Sequence, residues 1–198
     1  MELLADRDPE EARKLLDPVP EHIFRVYITK SWEGWACIRA GDPGRGRSLL
    51  EEALTLSADI GTKLQLSFAK ANLAVALVAL GELDAVPGLC QEAMRLAEEA
   101  DDKFGEAVGR RTLAEALFCL DPADPEKAEA AILEAIRILQ ESGAGPELAR
   151  SYVSYARLLT SRGDREKAKE HLVKAIGMFR DMGMAWDLER AEQALREL

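Results

Sequence analysis

The side chains that most often carry out chemistry in enzymes are few in this sequence and lie far apart. Its two histidines are His22 and His171, and its three cysteines are Cys37, Cys90 and Cys119. Catalytic and metal sites of these residues often show spacings such as His-Glu-x-x-His or Cys-x-x-Cys, and neither spacing occurs here. We expect His171 to face solvent and the cysteines to pack as small core residues. The sequence predicts no catalytic residue, no metal site and no cofactor.

Two further patterns share only part of a catalytic motif. The stretch Gly41–Gly46 is rich in glycine, but a phosphate-binding loop follows a strand, and here helical sequence comes before the glycines. The acidic pairs fall at helix ends or on outer faces, whereas a general acid and a general base must face each other across a pocket. These pairs are Glu51-Glu52, Glu98-Glu99 and Asp101-Asp102. The sequence therefore predicts a protein that is not an enzyme.

Charge and hydropathy limit the classes of partner. The 198 residues carry 26 Lys+Arg against 36 Asp+Glu, a formal net charge of −10. Nucleic acids and anionic membranes are bound by basic surfaces, so we expect neither as a partner. The longest apolar run, Leu73–Leu80, is far shorter than the roughly 20 residues that span a bilayer. The acidic start Met1–Asp6 is unlike a secretory signal, and three widely spaced cysteines predict no disulfide framework. We expect a soluble, cytoplasmic protein.

Small residues recur with a period of about 40 residues, which indicates a repeat architecture. One series at this period consists of Gly34, Ala74, Ala114 and Ala156. A second consists of Ala53, Ala93, Ala135 and Ala175. Eight positions after each member of the second series stands a residue suited to a turn: Gly61, Asp101, Gly143 and Gly183. The shared period indicates four copies of one unit.

Each unit divides into two helices. Apolar residues at three- and four-residue spacing from Thr62 to Leu80 and from Asp84 to Ala100 predict a pair of amphipathic helices. Aspartate followed by proline, at positions 8–9, 42–43 and 124–125, predicts helix starts. Short connections make consecutive helices antiparallel neighbours. The predicted fold is all-α: a right-handed solenoid of antiparallel helical hairpins, about four repeats plus a C-terminal capping helix, with breaks near residues 41, 60, 82, 102, 122, 144, 163 and 183.

The segment 149–179 resembles a tetratricopeptide repeat (TPR). Its packing positions hold Tyr152, Ala156, Leu159, Ala168, Leu172 and Ala175, with a Gly163-Asp164 turn between the helices. The resemblance extends less closely over residues 26–198, where Gly46 and Val86 replace the second-helix alanine. The period there is also longer than the family's usual period of about 34 residues. Long helices of this kind are similar to TPR modules at the C-terminal end of large bacterial signalling and transcription regulators. The resemblance implies that the first helices line a concave face.

We predict one TPR-like domain over residues 1–198. It comprises a partial N-terminal half-repeat at 1–21, repeats at 22–58, 62–100, 103–141 and 146–181, and a capping helix at 184–198. The capping helix is expected to turn its polar residues, among them Asp187 and Arg190, to the outside, because the end of a solenoid needs a polar face. The chain is either a stand-alone protein or the C-terminal module of a longer one.

The groove of the concave face is the candidate partner-binding site. Counting 100° per residue from the mid-helix small residues places ten candidates there: Trp32, Trp35, Arg39, Phe68, Asn72, Val75, Arg111, Glu115, Arg150 and Arg157. The N-terminal half is aromatic and apolar, and the C-terminal half carries arginines, of which we expect Arg111 and Arg157 to face solvent. Aromatic residues beside arginine are typical of interface hot spots. The prediction is a scaffold that binds an acidic-apolar segment of a protein or peptide.

Two alternatives remain open from the sequence. Residues 1–20, an upstream repeat or a second copy in a homo-oligomer could bury Trp32 and Trp35 instead of a partner. A second function is a ligand-sensing or regulatory module of a larger bacterial signalling protein, with a small ligand against Trp32, Trp35 and Arg111. The lysine- and asparagine-based clamp by which some TPR proteins hold a C-terminal carboxylate is not recognisable, since only Asn72 is of a suitable type.

Overall fold

The computed structural model describes residues 21–120 and 125–198, which form helices joined by short connections. In chain order the nine helices are α1 (Glu21–Arg39), α2 (Pro43–Asp59), α3 (Leu66–Leu80), α4 (Val86–Glu99), α5 (Lys103–Leu120), α6 (Pro125–Ser142), α7 (Gly145–Ser161), α8 (Arg165–Asp181) and α9 (Ala185–Arg196). No strand occurs within these two ranges, so the all-α prediction is confirmed. The half-repeat predicted at 1–21 lies almost wholly outside the described residues.

The helices begin where the sequence supplies a hydrogen-bond acceptor or a proline. Asp42 caps α2: its side chain accepts a hydrogen bond from the N–H of Arg45 at 3.0 Å, and Pro43 is the first helical residue. Such a cap satisfies one of the N–H groups that have no partner inside the helix. Pro125 likewise opens α6, as predicted, while the predicted aspartate caps at positions 8 and 124 lie outside the described residues.

Helix α3 begins four residues later than predicted, at Leu66 instead of Thr62. The Thr62 hydroxyl accepts a hydrogen bond from the N–H of Leu64 at 3.2 Å, and Gln65 takes a left-handed conformation with φ of 56°. A threonine that bonds nearby backbone stabilises a turn in competition with the helix. The same kind of error occurs at α4, which begins at Val86 instead of Asp84.

The residues that follow the second helix of each hairpin share one backbone conformation. The four members of the turn series are left-handed, with φ of 66° at Gly61, 52° at Asp101, 70° at Gly143 and 68° at Gly183. Glycine takes this conformation freely, and aspartate does so more readily than most other residues. The equivalence of Asp101 with the three glycines, indicated by the period of the repeat, is therefore also a structural equivalence.

The nine helices form two layers. Each helix packs on the next along the chain, so that α1–α8 make four hairpins and α9 packs on α8. The first helices of neighbouring hairpins also touch, α1 on α3, α3 on α5 and α5 on α7, whereas among the described residues the second helices make at most marginal contact with one another. A layer in which neighbours touch is shorter than one in which they are spread, so the first helices line the concave side.

Small residues allow the two helices of a hairpin to approach closely. The first-helix series Gly34, Ala74, Ala114 and Ala156 is buried throughout. In the first hairpin the crossing is formed by two glycines. A Cβ added to Gly46 would lie 2.5 Å from Ile38 Cγ1 and 2.8 Å from the carbonyl oxygen of Gly34, and one added to Gly34 would lie 2.8 Å from Leu50 Cγ. The backbones of α1 and α2 are therefore in direct contact.

The apolar core runs between the two layers. Its largest cluster lies in the C-terminal half and includes Ile132, Leu159, Leu172 and Phe179. A second cluster in the N-terminal half includes Leu50, Leu73, Leu77, Val86 and Cys90. Since the burial of apolar surface is the dominant favourable contribution to folding, these clusters hold the first helices in the register that forms the groove.

Replacing Gly46 by alanine tests the close approach of α1 and α2. The added methyl group meets backbone as well as a side chain, so we expect the free energy of unfolding to fall by about 1–3 kcal/mol. Gly177, inside α8, is the matched control, because in the described part of the chain nothing lies within 4 Å of its added Cβ. Gly177→Ala should raise stability by up to about 1 kcal/mol through helix propensity. Urea denaturation of both variants measures the difference, and a stabilising Gly46→Ala would contradict the packing.

Candidate functional site

The concave side contains a cavity of about 480 Å³ whose walls come mainly from α1, α3, α5, α7 and α9, with single residues from α2 and α8. Six of the ten candidate residues line it: Arg39, Val75, Arg111, Glu115, Arg150 and Arg157. Trp35 and Asn72 line an adjoining space of about 30 Å³. Trp32 and Phe68 contact each other at the N-terminal end, where α1 meets α3. Eight of the ten thus line these two spaces, and Trp32 and Phe68 are connected to them through the contact of Trp32 with Trp35.

An aromatic cluster forms the N-terminal end of this groove. The Trp32 ring lies 4.5 Å from the Phe68 ring and 5.8 Å, edge to face, from the Trp35 ring, measured between centroids. Phe68 is buried beneath them, whereas 45% of Trp32 is exposed. Asn72 is less available than predicted, because it is buried and its Nδ2 donates a hydrogen bond to the Phe68 carbonyl at 2.8 Å. The cluster therefore presents one exposed ring, Trp32, on a buried one, Phe68.

Arg111 occupies the floor of the groove, and its prediction as a solvent-facing cation is wrong. Only 8% of it is exposed. Its guanidinium donates to Glu147 at 2.9 Å and to Glu115 at 3.3 Å, and Glu115 also accepts from the Ser154 hydroxyl at 2.5 Å. Burial alone would raise the pKa of Glu147, but Arg111 and Arg150 outweigh burial and hold that pKa below its ordinary value. Arg111 is therefore a structural charge, neutralised by carboxylates.

Asp187, from helix α9, joins both ends of the groove. Its carboxylate accepts from Arg39 at the end of α1 and from two nitrogens of Arg150, each at 3.1 Å. Arg150 also donates to Glu147, so the ion pairs continue to Arg111. Burial would raise the pKa of Asp187, but hydrogen bonds from Arg150 and Arg39 lower it overall. Three arginines and three carboxylates thus form one electrically balanced network along the groove.

Helix α9 is the element of the site that the sequence analysis missed. Its polar residues were expected on the outside, yet Trp186, Asp187 and Arg190 all line the groove. Trp186 lies between two guanidinium groups, 4.7 Å from Arg39 and 4.5 Å from Arg190. The orientation of α9 depends on how far the stack of hairpins curves, and no local sequence pattern reports that curvature. A tryptophan followed by an aspartate on the capping helix was the one available signal.

Arg157 and Arg190 provide the positive charge that the groove has available. Both line the 480 Å³ cavity, and neither has a carboxylate within ion-pair distance in residues 21–120 and 125–198. Arg157 is exposed, as predicted. The groove therefore has five arginines against the three network carboxylates, although the whole chain has a net charge of −10. This arrangement can bind anionic groups next to an aromatic ring.

Two predictions made for residues outside the groove are wrong. His171 was expected to face solvent, but it is half-buried against the rings of Tyr152 and Tyr155, with centroids 5.4 and 4.8 Å away. Burial is the main cause of its lowered pKa. Cys90 is buried as predicted, whereas Cys119 is exposed, so the cysteines do not share one core role.

Neither a cluster of metal ligands nor a membrane-spanning helix occurs among the described residues. No group of three or more His, Cys, Asp or Glu side chains in residues 21–120 and 125–198 could hold a metal ion. None of the helices in those ranges has the length and hydropathy needed to cross a membrane. The side chain of His22 lies outside the described part.

Replacing Glu147 by glutamine should destabilise the fold strongly. The substitution leaves Arg111 buried with much of its charge uncompensated, so we expect a loss of about 3 kcal/mol in the free energy of unfolding. The double variant Arg111→Met/Glu147→Leu removes both charges and should lose less than Glu147→Gln alone. Glu134→Gln is the control, because Glu134 pairs with the exposed Arg137 and should cost no more than about 1 kcal/mol. Equal losses at Glu147 and Glu134 would show that the groove pair is solvated.

The same carboxylate predicts a pH dependence. The pKa of Glu147 is lower in the folded state than its ordinary value of 4.5, so its stabilising contribution is complete above pH 4.5 and is lost as the pH falls through the folded value. The difference in unfolding free energy between the wild type and Glu147→Gln should therefore narrow in acid. Urea denaturation at several pH values between neutral and acid measures it. A difference that stays constant would contradict the charged pair.

The fold has counterparts among known proteins. Residues 149–182 match the family model of the tetratricopeptide repeat. The structure of BtubC (BKLC) from P. vanneervenii superposes with a TM-score of 0.61 at 19% identity, over 98% of this chain and 87% of that one. A Podosopora anserina protein, assigned as a kinesin light chain with nearly identical TPR-like repeats, gives a TM-score of 0.58 at 17% identity, over 90% of each chain.

The apo form of RapI gives a TM-score of 0.55 at 14% identity, over 87% of this chain and 49% of RapI. No curated protein matches the chain significantly. At these identities the solved structures show the fold alone, and the family match adds the identity of the repeat. The chain therefore has a TPR-like helical-repeat fold, in which residues 149–182 match a tetratricopeptide repeat.

Proposed function

We propose that the chain is a non-catalytic scaffold that binds a segment of a partner protein in its concave groove. The observation that carries the proposal is Trp32, a tryptophan with 45% of its surface exposed, held in place by an edge-to-face contact with Trp35 and a tilted contact with Phe68. Tetratricopeptide repeats generally mediate interactions between proteins. A rigid exposed aromatic group on the face where first helices meet is suited to such an interaction, because tryptophan is enriched among residues that dominate binding energy.

The chemistry of the groove favours an acidic-apolar segment. An apolar side chain of the partner would cover Trp32, and carboxylates would pair with Arg157 and Arg190 at the other end. Pairing between arginine and carboxylate is directional and strong. Since the rest of the chain is acidic, it repels an acidic segment everywhere except along the groove, and this contrast directs the segment to the site. Nucleic acids and membranes, which favour basic surfaces, are excluded from the proposal.

The proposal also covers domain organisation and location. We infer that residues 1–198 make one domain of four repeats between a half-repeat and a capping helix, and that the protein acts in the cytoplasm. A homo-oligomer is compatible with the exposed aromatic surface. The described cysteines are free, as expected in a reducing compartment.

A second candidate function is a ligand-sensing or regulatory module of a larger bacterial signalling protein. The observation that favours it is the volume of the cavity, about 480 Å³, which lies within the usual range for small-molecule sites. The ligand would bind beside Trp186 and Arg157. The space next to Trp35 and Arg111, where the sequence suggested a ligand, is only about 30 Å³ and is too small.

Selection of binding peptides from a random library on the immobilised full chain tests the scaffold function. We expect the selected peptides to be rich in apolar and acidic residues and to lose at least about tenfold in affinity when Trp32 is replaced by alanine, since truncating a hot spot costs about 2 kcal/mol or more. Fluorescence anisotropy of labelled peptides measures the dissociation constants.

Val173→Ala is the matched control for Trp32→Ala. Val173 is also a large exposed apolar residue, but it lies on α8, a second helix on the outer layer. Its replacement should leave peptide affinity unchanged. Peptides that bind both variants as tightly as the wild type would contradict binding at the aromatic cluster. If the library yields no binder and a small organic anion binds at Trp186, the sensing function is favoured instead.

A further inference from the structure

Helix α9 reaches across the groove and holds its two ends together. Asp187 and Arg39 are 148 residues apart in the chain, yet the Arg39 guanidinium donates to the Asp187 carboxylate. The same carboxylate accepts from Arg150, and the Trp186 ring lies between Arg39 and Arg190. The first turn of α9 therefore occupies the groove with an aromatic ring and a carboxylate.

These contacts are separate from the packing that attaches α9 to the core. Among the described helices α9 packs mainly on α8, and Ala191 is its one fully buried residue. Met184, Leu188 and Leu195 are partly buried against the C-terminal core cluster. The apolar side of α9 thus keeps the helix on α8, while its connection to α1 depends on Trp186 and Asp187.

If Asp187 leaves, Arg39 loses its one carboxylate partner among the described residues, whereas Arg150 keeps Glu147. The side chains of Arg39 and Arg150 are 27% and 12% exposed, and a cation at that depth loses much of its hydration. The charge can be exchanged at lower cost: if another carboxylate enters as Asp187 leaves, Arg39 keeps a partner throughout and Arg150 again has two. Arg157 and Arg190, which line the same cavity without a carboxylate partner in the described ranges, are placed to receive such a group first.

We propose that α9 closes the groove through the contacts of Asp187 with Arg39 and Arg150, an arrangement called the clasp below. Carboxylates of an acidic partner segment open the groove by taking the place of Asp187 on these two arginines. The proposal deepens the scaffold function and rests on it for the identity of the partner. In the closed state the clasp competes with the partner. The apparent affinity therefore equals the affinity of the open state multiplied by the fraction of molecules that are open. Acidic segments are selected because only they restore the charge balance.

Hydrogen exchange of the full-length protein, measured by mass spectrometry, tests the clasp without any partner. Asp187→Asn removes the charge but keeps the shape, and we expect exchange of the α9 backbone amides to become at least about tenfold faster, because local opening becomes easier. Arg39→Gln removes only the contact with α1 and should accelerate the same amides less. The amides of α4 and α5, which lie in the core, report whether either variant has lost global stability.

Glu192→Gln is the matched control on the same helix. Glu192 is paired with Arg180 at an exposed position outside the groove, so its loss should leave α9 exchange unchanged. Exchange of α9 that is unaltered in both Asp187→Asn and Arg39→Gln, or that rises equally in Glu192→Gln, would overturn the clasp.

Added hexaglutamate peptide tests the exchange of carboxylates. At low ionic strength it should accelerate α9 exchange in the wild type toward the rate of Asp187→Asn, have little effect in that variant, and lose its effect in high salt. Hexaglutamine is the neutral control. If the variants open α9 but hexaglutamate does not, the displacement by acidic segments is overturned. If hexaglutamate opens α9 while no library peptide depends on Trp32, the clasp stands and the scaffold function fails.

Discussion

The close approach of two helices within each hairpin is the constraint on which the rest of the molecule depends. In the first hairpin Gly34 and Gly46 bring two backbones into contact, and in the later ones buried alanines hold the equivalent first-helix positions. A larger residue at these positions would force the two helices of the hairpin apart. Because each repeat packs mainly on its neighbours, each crossing affects the orientation of every unit after it. The shape of the groove is the sum of these local crossings.

The inner layer that results is also where charged residues become buried. Helices that touch side by side remove water from the side chains between them, so a charge there needs a partner. Arg111, Arg150 and Arg39 obtain theirs from Glu147, Glu115 and Asp187. Exposed pairs on the outer layer, such as Arg137 with Glu134, are geometrically similar but contribute far less, because water screens them. An arginine–carboxylate pair therefore matters for stability when it is buried in the groove and contributes little when water surrounds it.

The sequence predicts those features that depend on interactions between residues close together in the chain. The Asp42 cap, the turn at Gly61 and the small residue at Ala156 depend on neighbours within a few residues or one repeat, and all were found. Helical periodicity likewise brought eight of the ten candidates to the two adjoining spaces of the concave side. Their environments were harder to predict: the burial of Arg111 depends on Glu147, 36 residues away, and the role of Asp187 depends on Arg39, 148 residues away. Contacts at that separation depend on the curvature of the whole stack, which helical periodicity does not contain.

The contact between α1 and α9 changes how the groove can respond. In an open solenoid the width of the groove is a soft coordinate, since each hairpin can tilt slightly on the next without breaking many contacts. A contact between α1 and α9 fixes that width. Here the contact includes an ion pair and a cation–π contact, both made by Arg39. Ionic contacts weaken with salt and exchange with other charges, whereas apolar contacts do neither. The width of this groove is thus set by the kind of interaction that an acidic partner can itself supply.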